Sequence, residues 1–498
     1  MKFLSPYSLL ALLLAWGVRA SGQEQVPPLV QQKCSGCHGV PRPGAMRRDA
    51  WPSTIRNMQP FMERLALPFS ERDRTAVTEF YLRHAPLALP RIPDDYQESG
   101  LSFSRSPVGF PSADPKPQVT SLVFTDLDGE GVSNDLIVTD NANNSISWLR
   151  NEGGEWTESI LSEAPSPVRA TPVDFDRDGD IDLAISCMGF MHPNDDLIGE
   201  FHLLENRGDA GFSKRVVLEG VPRLTDCAPG DFDGDGDIDF VLAMFGWRYT
   251  GGVGLLEQKF DGFFRLRPLL EVNGGMRVIA NDANGDGLLD FVLLITQQHE
   301  AIVQFINRGD GTFDNEVITR ASHPSFGSSS IRLADLDQDG DEDILYANGD
   351  MMDENPEPKP YHGVRWLEND GSGGYELHHL ASMPGCYGAE PADMDGDGDL
   401  DVVISALYFQ WKEHDFPSLA WIENRSGFRE FTRRRIAYAP TNLANIAVGD
   451  IDGDGLHDIV GGGMHVPGPL DRAGRLTLWR QEAGERPESE TETAPAPR

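Results

Sequence analysis

Short apolar runs recur along most of the chain, each broken by a cluster of aspartates and glycines; Asp182-Leu-Ala-Ile-Ser186 and Asp401-Val-Val-Ile-Ser405 are typical. Apolar and β-branched runs bounded by turn formers predict strands. Acid-rich loops begin at Asp126, Asp174, Asp231, Asp282, Asp335, Asp393 and Asp450, so the unit repeats every 48 to 58 residues. An apolar run stands on either side of each loop. A third run ends in a second signature, such as Leu203-Leu-Glu-Asn206 or Trp366-Leu-Glu-Asn369, whose Trp and Leu are expected to pack between units. A Gly-rich turn and a fourth run usually follow. Four antiparallel strands per unit, seven times, predict a mainly β chain: a seven-bladed β-propeller over 99–481. The last unit lacks its fourth run, because 482–498 is Glu-, Pro- and Thr-rich and reads as a disordered tail. Leu101 to Ser106 is expected to supply that strand and so remove two sheet edges.

The pattern differs ahead of the repeats. Residues 26–39, Trp51 to Arg64 and Ser70 to His84 read as three helices, with Pro52 in one first turn and Ser70 capping another ahead of Asp73. These lie in a small unit, 25–89, joined to the repeats by a linker at 90–98. Residues 1–20 read as a signal peptide: Lys2, an apolar run from Leu9 to Val18, and small residues at Val18 and Ala20 before a cut. An exported chain is expected, periplasmic or extracellular. Neither that run nor any later one is long enough to span a bilayer, so no transmembrane anchor is expected.

Cys34-Ser-Gly-Cys37-His38 brings chemistry to the helical unit. Two thiols at this spacing can form thioethers to both vinyl groups of one haem c, and the adjacent His38 is placed to ligate its iron. The segment resembles a small class I cytochrome c. In that family a Trp-x6-Met helix often supplies the sixth ligand. Here Trp51 to Met58 has that spacing, and Met62, one turn on along the same face, is the rival. The resemblance implies electron transfer.

The acid-rich loops carry a second chemistry. Alternating carboxylates that turn at a glycine converge on one hard cation, and calcium accepts six to eight oxygens from such loops. The candidate ligands are Asp126, Asp128 and Glu130; Asp174, Asp176, Asp178 and Asp182; Asp231, Asp233, Asp235 and Asp239; Asp282, Asn284, Asp286 and Asp290; Asp335, Asp337, Asp339 and Asp343; Asp393, Asp395, Asp397 and Asp401; Asp450, Asp452, Asp454 and Asp458. The first loop departs from the pattern, with Asn134 at position 9 and Asp135 one residue late, so about six or seven calcium ions are expected. The loops resemble FG-GAP/VCBS-like repeats. With the N-terminal segment, the chain resembles a bacterial exported VCBS-repeat protein with a fused cytochrome c domain.

Charge narrows the partners. Acids outnumber bases 79 to 42, for a formal net charge of −37, which excludes a general nucleic-acid binder. The helical unit is nonetheless mildly basic, so the two parts attract one another at low salt. Loops between second and third strands vary in length and carry His192, His299, His362, His414 and His465. They are expected on the face opposite the acid-rich loops, where His299, Glu300 and His362 are the candidate members of a second site. Cys187 and Cys227 lie close enough in adjacent units for a disulfide to be considered. The expectation is an electron-transferring haem protein with the propeller as platform for a redox partner or small-molecule substrate. The alternatives are a haem-coupled dehydrogenase with its active site on the propeller face, and a calcium-dependent adhesive or polysaccharide-binding protein.

Overall fold

A computed structural model describes residues 26–35, 38–64, 66–111, 116–152, 155–208, 211–259, 262–352, 357–407, 416–465 and 474–483. The signal segment at 1–20, Cys37, His414 and nearly all of the tail lie outside the described residues.

Seven sheets, each built on four antiparallel strands, form seven blades among the described residues. Blade 1 runs Val119–Thr125, Asp135–Asp140, Ser145–Glu152 and Glu155–Glu163 from the axis outwards, and blades 2 to 6 repeat this order. Blade 7 has three strands from the C-terminal end, Leu443–Gly449, Asp458–Gly463 and Leu476–Glu482. Its fourth is Ser102–Pro107, paired antiparallel with Leu476–Glu482, so the ring closes as expected, one residue along.

The second strand of every blade is buried at all six positions. Alternate side chains enter the two flanking interfaces. In blade 1, Leu136 and Val138 pack with Ile451 and Val460 of blade 7, whereas Ile137 packs with Leu183 and Ile185 of blade 2. Each such side chain contributes about 1.5–3 kcal/mol on burial. Side-chain hydrogen bonds stitch the innermost strands together: Thr120 donates to the Pro167 carbonyl, Thr225 to Gly275, Ser329 to Cys386 and Asn445 to Val119, all at 2.7–3.1 Å.

The described residues of the N-terminal unit form three α-helices, α1 (Pro28–Cys34), α2 (Trp51–Arg64) and α3 (Glu71–His84), and a short 3-10 turn at Pro43–Ala45. Ser70 and Asp73 form a reciprocal capping box at α3, as the spacing predicts. Helix α1 stops at Cys34 rather than continuing to 39, so His38 lies beyond its end. Trp51 and Tyr81 stack with ring centroids 3.8 Å apart and centre the small core. The unit sits on the propeller through Tyr361, which donates to the Ala45 carbonyl at 2.9 Å, and through an Arg47–Glu357 ion pair at 3.0 Å.

The expected linker is partly structured. Gln97–Glu98 pairs parallel with the outer strand of blade 6, and buried Tyr96 donates to the Ser382 carbonyl. Arg433 and Arg435 hold Asp95 and Asp94. Cys187 and Cys227 are each free and buried, so the disulfide considered for them is not formed; Cys227 instead donates to the Thr171 hydroxyl. No helix among the described residues is long and apolar enough to cross a membrane.

Candidate functional site

Each acid-rich loop joins the first and second strands of its blade. The aspartate at position 1 accepts a hydrogen bond from the N–H of the glycine at position 6 in all seven, at 2.7–3.2 Å. Those glycines have φ between 83° and 101°, a conformation costly for a residue with a Cβ. Position 9 opens the second strand. There Asp182, Asp239, Asp290, Asp343 and Asp401 each accept from a loop N–H with one oxygen and from the Asn or Gln of the third-strand signature with the other.

The first loop corrects the sequence reading. Asp135, not Asn134, opens the second strand and accepts from the Leu127 N–H, so the loop is one residue longer and its last carboxylate is restored. Carboxylate oxygens of Asp126, Asp128 and Asp135 lie within 4.8 Å of one another, as do those of Asp174, Asp176 and Asp182 and of Asp231, Asp233 and Asp239. Asp126 Oδ1, Asp174 Oδ1 and Asp337 Oδ1 are buried and make no hydrogen bond among the described residues. Convergent carboxylates with unsatisfied oxygens fit a hard cation. Burial pushes the position-9 carboxyls up, to about 6 in Asp182 and Asp343 and about 7 in Asp239, Asp401 and Asp458.

The Asn of the second signature has a role that sequence reasoning missed. In four blades its side chain reaches into the preceding one: Asn206 donates to the Leu127 carbonyl, Asn307 to Phe232, Asn424 to Leu336 and Asn151 to Ile451, whereas Asn369 donates to Glu342 of its own blade. In those four it thus ties its own loop to the neighbouring one.

On the opposite face, a cavity of about 1740 Å³ lies between the helical unit and the propeller. Cys34, His38, Met58 and Met62 line one side. His192, His299, Glu300, His323 and His465 line the other. His323 comes from a link between blades, a position not singled out in the sequence. His362 does not line the cavity: it is wholly buried, with its N–H bonded to the Lys359 carbonyl in a turn behind Tyr361.

His38 Nδ1 lies 2.6 Å from the Gly39 carbonyl. A carbonyl only accepts, so Nδ1 donates and the neutral ring carries its lone pair on Nε2, the form that ligates a metal. Burial lowers the His38 pKa and nearby Arg320 adds to this, both favouring the neutral ring. Burial pushes the Cys34 thiol up to about 11, partly offset by a hydrogen bond with Tyr81. Cys34, His38, Met58 and Met62 around one cavity are a donor set that fits a haem.

The turn between the second and third strands of blade 4 holds His299 and Glu300. Gln297 and Glu300 both have left-handed backbones, φ 60° and 44°. Glu300 is buried and accepts from both the N–H and the hydroxyl of Ser328, whose oxygen also meets the Tyr346 hydroxyl. Burial raises the Glu300 carboxyl to about 8, so it holds its proton at neutral pH. Burial, Arg320 and His38 lower His299 to about 4.

No curated protein matches the chain. Among solved structures, the crystal structure of BBS1N in complex with ARL6DN, soaked with lead, is similar at 11% identity and a TM-score of 0.46, covering 78% of this chain and 98% of that one. The model of the FG-GAP-like repeat matches residues 133–185 and 269–346. Those segments run from the loop–strand boundary of blade 1 into blade 2 and from the end of blade 3 into blade 5. The chain therefore carries FG-GAP-like repeats, closed into a seven-bladed propeller.

Proposed function

We propose that the chain is an exported c-type haem protein that moves electrons between its haem and a small molecule held against the propeller. One observation carries this reading: the residues suited to a haem and the mouth of the propeller line the same cavity. Cys34 and Cys37 would anchor the haem, His38 Nε2 would ligate its iron, and Met58, with Met62 as rival, would take the sixth position. A bound haem supplies one-electron chemistry. A haem held there would be shielded between the two units instead of exposed on a flat surface, which favours a small molecule over a protein partner. The acid-rich loops, on the far face, would hold calcium and stabilise the blades.

Glu300 favours a second reading, that of a haem-coupled dehydrogenase. A carboxyl protonated near neutrality in a cavity is suited to proton transfer. Haem reduction in the purified chain by a small molecule alone supports both readings, with a two-electron-oxidised product pointing to the dehydrogenase; reduction only by a partner protein contradicts the small-molecule reading. The haem itself is tested by staining on a denaturing gel. The wild-type chain is expected to stain, and the Cys34→Ala/Cys37→Ala chain is expected not to. Persistent staining in the double variant contradicts the assignment.

A further inference from the structure

The third residue of each innermost strand forms a ring around the propeller axis: Ser121, Arg169, Asp226, Arg277, Ser330, Gly388 and Asn445. The pairing with the second strand shifts just before each of them, so all seven stand at the same level. All but Asp226 line the cavity under the helical unit. We propose that this ring is a binding site for the carboxylate of a small organic acid.

Asp226 lies between two guanidiniums, 3.1 Å from Arg169 Nε and 3.3 Å from Arg277 Nη1. Its Oδ2 also accepts from the Val278 N–H. The ring thus holds two cations against one anion. One layer deeper, Arg332 and Glu390 form a neutral pair. The surplus of one positive charge suits a single carboxylate better than a phosphate dianion. Donors are also in surplus. Ser121 Oγ and Arg277 Nε are buried and make no hydrogen bond among the described residues, whereas Arg169 Nε and Arg277 Nη1 have only Asp226 to face. Ser121 is only 2% exposed and Arg277 8%. Buried donors left without acceptors are costly, and an acceptor-rich anion that reaches them removes that cost. Guanidiniums favour carboxylates because the planar fork matches the two oxygens.

The site's use in electron transfer rests on the function proposed above, but the site itself does not. Calorimetry reads anion binding whether or not the chain carries haem, so failure of one claim leaves the other standing. The probe is glycolate, titrated into the purified full chain and compared with inorganic phosphate. One glycolate per chain is expected, with phosphate at least tenfold weaker and with Arg277→Gln weakening glycolate at least tenfold. If Arg277→Gln fails to fold, Arg169→Gln is read in its place with the same expectation. Absence of glycolate binding, tighter binding of phosphate, or unchanged affinity in the folded variant overturns the proposal.

Discussion

At the scale of single residues, Glu300 makes the sharpest prediction. Its carboxyl is raised from 4.5 unfolded to about 8 folded. The folded state therefore holds a proton that the unfolded state releases between these values. The stabilising contribution is complete below about 4.5 and is lost as pH rises through about 8. The melting temperature is expected to fall across that window, and Glu300→Gln, which keeps a neutral side chain, should flatten the fall. An equal slope in both proteins counts against a buried protonated carboxyl. His299 and Glu300 were legible in the sequence as polar members of a varied loop. Arg169, Asp226 and Arg277 were not, because each stands alone on its strand and the ring exists only across blades. His362 misled for the converse reason: its loop faces the right way, yet the turn folds it inward.

At the scale of the element, the acid-rich loop and the Asn signature work as one fastener. The Asn side chain ties adjacent blades while its N–H holds the position-9 aspartate. Asn424→Ala should cost about 1–3 kcal/mol in chemical denaturation, because it leaves buried carbonyls without donors. An unchanged midpoint would show that water replaces the side chain freely. Calcium, if bound by the folded loops alone, stabilises by about 2.7 kcal/mol per site at a hundredfold excess over its dissociation constant. Chelation is therefore expected to lower the propeller's melting temperature strongly, and Asp231→Ala or Asp393→Ala to remove about one bound calcium. An unchanged melting curve, with no calcium found by elemental analysis, would reduce the loops to acidic turns. The repeat was legible because the loop needs a glycine at one fixed position and carboxylates at alternate ones. The displaced carboxylate of the first loop was harder to see: one extra residue moves Asp135 out of the pattern in sequence but not in space.

At the scale of the whole molecule, closure and docking decide what the parts can do together. Ser102–Pro107 completes blade 7 and ties the chain that leaves the helical unit into the ring. Tyr96 and the Asp94 and Asp95 pairs fix the intervening segment on blade 6. The closure was legible because one blade lacked a strand and one strand lacked a blade. The cavity between the units was not, since no local pattern records which face of a propeller a separate domain will cover. Chelation should leave the spectrum of the proposed haem nearly unchanged, because the acid-rich loops lie on the face away from the cavity. A large spectral change in chelator would show that the two ends are coupled.

The central claim is that Cys34, Cys37 and His38 make this a haem protein whose cofactor faces the propeller. Intact-mass measurement of the chain purified after export tests it most directly. The account predicts one covalently added haem per chain, lost in Cys34→Ala/Cys37→Ala. A chain recovered at its bare polypeptide mass with both thiols free, from cells able to attach haem, would contradict it.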